Sequence, residues 1–263
     1  MSDAAMTLTV VGCSGSTSGP DSPASSYLLQ APWQGRTYTV LLDCGPGAFG
    51  QLSRYVPPEQ IDAVALSHLH PDHCLDLCAF SVAARYSPTA PWEPVDLWAP
   101  PHALERLGRA YDPMAGDDAT DLGTVFTAHT WEPHQQLGPF TVTAARVAHP
   151  APCWATRFET GGRSLVYSGD TGPSPALVDL ARGADLLLCE AAFTDPAPGG
   201  EPNPPGLHLT GREAGRAAAD AGVGRLVVTH VPPWHRPDEA ARAAASAFDG
   251  PVEVATSGAR WTL

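Results

Sequence analysis

Apolar residues along this chain come mostly in short runs bounded by glycine, proline and small polar residues, a pattern of strands rather than of long helices. It predicts strands over residues 6–12, 27–30, 37–43, 61–67, 95–99, 125–130, 140–148, 164–167, 185–189, 226–229 and 252–255. Between them, apolar residues at helical spacing predict helices over 47–55, 73–86, 102–111, 177–182 and 238–248. One more helix opens on the capping box Thr210-x-x-Glu213 and is stopped by Gly222. The strands at 125–130 and 140–148 are expected to close a first, strand-rich half, which a β/α half follows, without any internal repeat. Residues 195–206, rich in proline and glycine, read as a mobile loop and not as a linker, because the pattern continues directly on both sides.

Composition narrows this picture. At 263 residues, length alone does not choose between one large domain and two small ones; the uninterrupted pattern leads us to expect one domain over 1–263. A hydrophobic fraction of 43% is ample for a sizeable core. The net charge of −13 argues against tight binding of long nucleic acid, which needs a basic surface. It leaves room for a small anionic substrate if bound cations supply local positive charge. Six cysteines without a CxxC pair read as reduced, mostly buried thiols of a cytoplasmic protein. No basic-then-apolar leader is evident at the start of the chain, and no apolar stretch approaches a membrane span, so no membrane association is expected.

The chemistry concentrates in LSHLHPDHCLDL, residues 66–77. His68 and His70 alternate at the end of a strand and so can face one point. Pro71 turns the chain, and Asp72 and His73 can then face a second point close by. Imidazoles and carboxylates at this spacing are the usual ligands of zinc and related ions. His149 at the end of 140–148 is where a further ligand is expected, whereas His102, His129 and His134 read as ordinary surface residues. The glycine-rich loop at 13–26 lacks GxxxxGK[ST] and runs from strand to strand. It reads as a tight turn or, alternatively, as a wall of the site, with Ser14 against substrate. Asp43 either orients a ligand histidine or caps the helix that follows it. The acidic run at 112–121 lacks EF-hand spacing and reads as a solvated loop.

HLHPDH resembles the metal motif of the metallo-β-lactamase-fold hydrolases, and the resemblance extends over almost the whole chain. LLDCGPGAFGQL resembles the DCGEGTQ-type segment of tRNase Z-like proteins, and CEAAF their HEATF segment. The sequence looks most like the branch holding tRNase Z and the cyclic-nucleotide phosphodiesterases. Within that branch it is closest to short, atypical class II cAMP phosphodiesterases. The resemblance implies an α/β fold, a four-layer αβ/βα sandwich with metals at one edge. Carried over residue by residue, it implies one metal site of His68, His70 and His149 and a second of Asp72, His73 and His230. Asp170, in SGDTG, would be shared by both. It further implies two divalent ions, most readily Zn2+ with Mn2+ or Fe as alternatives, and hydrolysis by a hydroxide held between them.

Asp72, His208 and Glu190 are the implied catalytic groups, His208 as the acid for the leaving oxygen and Glu190 as its orienting carboxylate. Only twenty residues separate His149 from Asp170, where tRNase Z carries its tRNA-gripping arm. A small phosphodiester, above all 3′,5′-cyclic AMP, is therefore the expected substrate, with Trp234 a candidate to stack on its base. A tRNase Z-like nuclease, a thioesterase or lactonase, and a non-catalytic metal-binding scaffold are the alternatives. A homodimer is left open.

Overall fold

The computed structural model describes residues 6–112, 114, 120–195 and 197–263. Two seven-stranded mixed sheets lie face to face, with helices on both outer surfaces, as the resemblance implied. The first sheet contains β1 (Thr7–Gly12), β2 (Ser26–Trp33), β3 (Arg36–Leu42), β4 (Ala63–Ala65), β5 (Val95–Ala99), β6 (Phe126–Thr130) and β14 (Arg260–Thr262). Its order is β14-β1-β2-β3-β4-β5-β6, antiparallel up to β3 and parallel from β3 to β6. The second contains β7 (His134–Leu137), β8 (Phe140–Arg146), β9 (Trp154–Thr160), β10 (Arg163–Tyr167), β11 (Leu186–Glu190), β12 (Leu226–Thr229) and β13 (Val252–Val254). In the order β13-β12-β11-β10-β9-β8-β7 it is parallel from β13 to β10 and antiparallel beyond.

Strand side chains alternate between the two faces of a sheet, and the core divides accordingly. Leu8, Val10, Leu29, Val40 and Leu42 of the first sheet meet Phe140, Val142, Phe158, Leu165 and Leu188 of the second in the central layer. The alternate residues Val11, Leu28, Leu41 and Val64 pack outward with Leu77 and Phe80 of α3 (Leu77–Tyr86) and Leu107 of α4 (Ala103–Tyr111). On the far side, Val166, Leu187 and Val228 pack against α5 (Pro175–Ala181), α6 (Gly211–Ala221) and α7 (Pro237–Ala245).

Several expectations are corrected. Residues 140–148 do not close the first half: β8 belongs to the second sheet, paired with β7 and β9. Strands β7, β9 and β14 carried too little apolar alternation to be predicted; β9 holds Arg157 and Glu159, which pair with each other at 3.0 Å. The helix expected over 73–86 is broken into α2 (Pro71–Cys74) and α3, because Asp76 is engaged elsewhere. Its N–H bonds Cys44 O at 3.0 Å, and its carboxylate accepts from Phe49 N, at the start of α1 (Ala48–Leu52), at 2.9 Å. Asp76, not Asp43, thus serves the first turn of α1. The acidic loop falls largely outside the described residues. All six cysteines are free.

Candidate metal centre

The residues singled out in the sequence come together where the parallel strands of both sheets end, the usual place for a site in sheets of this kind. β4 delivers His68; His70, in extended conformation, precedes α2, and Pro71 starts that helix, so Asp72 and His73 occupy its first turn. β8 leads to His149, β10 to Asp170 and β12 to His230. The approach to Asp170 requires glycine at 169. There φ is +57°, and a Cβ would lie 2.9 Å from both Cys153 Sγ and Ser67 Cβ.

Three groups of potential ligand atoms result, one of them Glu190, His208 and His230; the other two share Asp170. Of these two, His68, His70, His149 and Asp170 form one and Asp72, His73, Asp170 and His230 the other, and within each the atoms lie within 4.8 Å of one another. Asp170 Oδ2 is 3.6 Å from His68 Nε2, and its Oδ1 is 3.2 Å from His73 Nε2 and 3.4 Å from His230 Nε2. Asp72 Oδ2 lies 3.4 Å from His73 Nε2 and 3.2 Å from His230 Nε2.

Their hydrogen bonds dictate which imidazole nitrogens face inward. His73 Nδ1 donates to Asp43 Oδ2 at 2.7 Å, and His149 Nδ1 donates to Leu207 O at 2.8 Å. Ser67 Oγ gives its own proton to Asp43 Oδ2 at 2.8 Å, so at 3.0 Å it accepts from His68 Nδ1. In His68 and His149 the outer nitrogen carries the proton and Nε2 is left with a lone pair directed at the centre; in His73 Nδ1 is likewise committed outward, so Nε2 is the nitrogen that faces the centre. His68 Nε2 and Asp170 Oδ1 are buried without a hydrogen-bond partner, a costly arrangement unless a cation takes their lone pairs. Neighbouring nitrogens are 3.1 Å apart in the His73–His230 pair and 3.2 Å apart in the His149–His70 pair. That is close to the ~3.3 Å expected of two imidazoles on one tetrahedral ion with bonds of about 2.0 Å. The donor set therefore fits divalent metal.

The local field points the same way. Burial alone would lower the His73 imidazole, yet Asp170 and Asp43 hold it well above its ordinary value. A position so rich in negative charge favours a cation. Burial keeps His68, His70 and His149 below theirs, and hence in the neutral form a metal needs.

Asp43 supports rather than lines the centre. Besides His73 and the Ser67 hydroxyl, it accepts from Ser67 N at 2.7 Å and from Tyr167 Oη at 2.7 Å. Tyr167 and Ser67 were not singled out in the sequence. Ser67 could have been, as the residue before the first histidine; Tyr167 reads there only as a strand residue.

His208 stands beside the two groups that share Asp170, 13% exposed at its side chain, just ahead of α6. Its Nδ1 bonds Glu190 Oε1 at 2.9 Å. Glu190, the last residue of β11, also accepts from Thr171 N, Ala192 N and Leu209 N. With its oxygens so engaged, it holds His208 and is not left to bind metal. Burial alone would lower the His208 imidazole, but the bond and charge of Glu190 raise it. Ser14 is buried with its hydroxyl beside Gly19, and the loop meets the histidines at Ser16 instead. Trp234 is 64% exposed and belongs to no core.

Residues 38–231 match the family described as the beta-lactamase superfamily domain, so the chain belongs to the metallo-β-lactamase superfamily. Within it, the chain is similar to the probable metallo-hydrolase YhfI of Bacillus subtilis (strain 168), with 32% identity over 262 residues, 97% of this chain and 99% of that one. The crystal structure of YhfI superposes with a TM-score of 0.82 at 29% identity, covering 98% and 99% of the two chains. An uncharacterized protein of Mycobacterium leprae (strain TN) is 46% identical over 254 residues, 95% of this chain and 86% of its own length. Ribonuclease Z of Myxococcus xanthus (strain DK1622) is 31% identical over 272 residues, covering 83% and 86%. The chain is thus a metallo-hydrolase of this superfamily, and its likenesses agree with the tRNase Z and phosphodiesterase branch.

Proposed function

We propose that the protein is a dimetal phosphodiesterase of small substrates, 3′,5′-cyclic AMP foremost, releasing the 5′-monophosphate. His68, His70, His149 and Asp170 would hold one ion, and Asp72, His73, Asp170 and His230 the other; zinc suits this donor set, and manganese or iron would also be accepted. When bound, such a pair polarises the phosphoryl oxygens and lowers the pKa of the attacking water.

The observation that carries the reading is the His208–Glu190 pair at 2.9 Å, beside both ligand groups. Glu190 fixes the Nδ1 proton of His208, so Nε2 is the nitrogen free to give a proton to a departing alkoxide. A poor leaving group such as a ribose oxygen needs that proton. Asp72 is more open than Asp170, 12% against 3% at the side chain, so it is the carboxylate that entering water meets.

A small substrate is favoured by what fills the span between His149 and Asp170: the β9–β10 hairpin, turned at Gly161 and Gly162. No protruding arm is present there to grip tRNA. The net charge is −13, and the chain contains no lysine. Many of its arginines are paired with acids, among them Arg36 with Asp62 and Arg225 with Glu253. The likeness to a ribonuclease Z keeps a nuclease as the second reading.

The test is turnover by the metal-loaded protein of bis-p-nitrophenyl phosphate, cAMP, cGMP, 2′,3′-cyclic nucleotides, a tRNA precursor and acyl-lactones. The proposal requires cleavage of the first two. Preference for the tRNA precursor would favour the nuclease, lactone opening alone would make it a lactonase, and no turnover would leave a binding protein.

A further inference from the structure

The loop before β2 is laced to the residues around His230. His230 N donates to Cys13 O at 3.0 Å, Gly15 N donates to Val231 O at 3.1 Å, and Ser14 bridges both Ala24 and Val231. A Cβ at Gly15 would run into the His230 carbonyl, so only glycine lets the loop come this close.

Backbone donors normally have acceptors, so those of this loop can be followed one by one. Ser14 N donates to Pro23 O at 3.1 Å, Gly15 N to Val231 O, and Thr17 N to Gly15 O at 2.7 Å. Ser16, held at φ +60°, points its N–H into the site, where it meets His230 Nε2 at 3.4 Å. That nitrogen is the one His230 turns toward Asp72, His73 and Asp170. Once its lone pair serves a cation, the Ser16 N–H needs another acceptor at the same place. Meanwhile no arginine bonds or pairs with any member of the ligand groups among the described residues, and lysine does not occur in the chain.

We infer that the Ser16 backbone N–H is a phosphoryl-binding donor: it takes a non-bridging oxygen of the substrate, in the role that a cationic side chain would otherwise fill. His208, whose ring centroid is 5.6 Å from that of His230, stands close enough to serve the same phosphoryl group. Specificity for phosphoryl over carboxyl substrates would then rest partly on main chain, and the serine hydroxyl would be dispensable. This inference rests on the phosphodiesterase reading.

The measurement is the affinity of the zinc-loaded protein for orthophosphate, with metal content determined in parallel. The decisive variant replaces the Gly15–Ser16 amide by an ester, which removes the N–H and keeps the side chain. It can be made by joining synthetic residues 1–43 to the remainder at Cys44. A hydrogen bond to a charged acceptor predicts a Kd higher by roughly tenfold to a hundredfold with both metals retained. The Ser16→Gly variant, which keeps the N–H and relieves the positive φ, should bind as the parent does. In the parent, the amide proton of Ser16 should move downfield on adding orthophosphate. An unchanged Kd in the ester variant overturns the assignment, as does an equal loss in Ser16→Gly. A parent that hydrolyses phosphodiesters while both variants bind normally refutes this inference alone. A parent that neither binds orthophosphate nor cleaves phosphodiesters refutes the functional reading with it.

Discussion

Tyr167 of β10 and Asp43 beyond β3 meet across the two sheets, hydroxyl to carboxylate, at 2.7 Å. The same carboxylate orients His73 directly and His68 through Ser67, so one buried acid governs ligands of both proposed ions. Tyr167→Phe removes a buried hydrogen bond to a charged group and should cost about 1.5–3 kcal/mol, read as a lower urea midpoint. Asp43→Asn should weaken metal binding by roughly tenfold to a hundredfold, the usual effect of losing a carboxylate behind a ligand histidine. Competition with a chelator would measure it, and unchanged affinity for both ions would count against the role given to Asp43.

Asp170→Ala is expected to abolish hydrolysis and reduce bound metal, because its two oxygens face both ligand groups. Metal analysis of the purified variant decides the matter: two ions per chain with near-normal turnover would show that the shared-ligand assignment is wrong.

For His208→Ala, both metals and the fold should be retained. Turnover of cAMP should fall by roughly 10²–10⁴, while bis-p-nitrophenyl phosphate, whose leaving group departs without a proton, should lose far less. Glu190→Gln should repeat this in milder form. Equal losses on the two substrates would make His208 a phosphate-binding residue, and no loss on either would remove it from the mechanism.

Metal removal should destabilise the protein. A ligand held only by the native state stabilises by about 2.7 kcal/mol at a hundred times its Kd, so dialysis against chelator should lower the melting temperature and added Zn2+ should restore it. An identical melting temperature with and without metal would speak against the ligand groups as a binding site.

Much of the candidate site was legible because the residues that cluster there carry strong local signals. His68, His70, Asp72 and His73 lie within six positions, and Asp170 sits in a glycine-flanked turn after an apolar strand. The capping box at Thr210 and Glu213 is present with both of its bonds. What escaped depends on contacts distant in sequence. Tyr167 matters because it reaches Asp43, 124 positions away, and Ser16 because it reaches His230. Strand β9 escaped because Arg157 finds its partners in Leu180 O and Arg182 O, which no window around 157 includes. The break at Asp76 has the same origin, a tie to Cys44 and Phe49 that outweighs helical spacing.

The proposed ligand residues hang from strands of both sheets, β4 in one and β10 and β12 in the other. No excised half of the chain could therefore assemble either group that includes Asp170. During folding, the sites can form only after the two sheets have docked, a late event in a topology rich in distant pairings. Metal capture would then report completed assembly, and bound ions would act as a clasp whose release must precede separation of the layers. Unfolding should accordingly slow when the ions are present, even under conditions where the rate of refolding is unaltered.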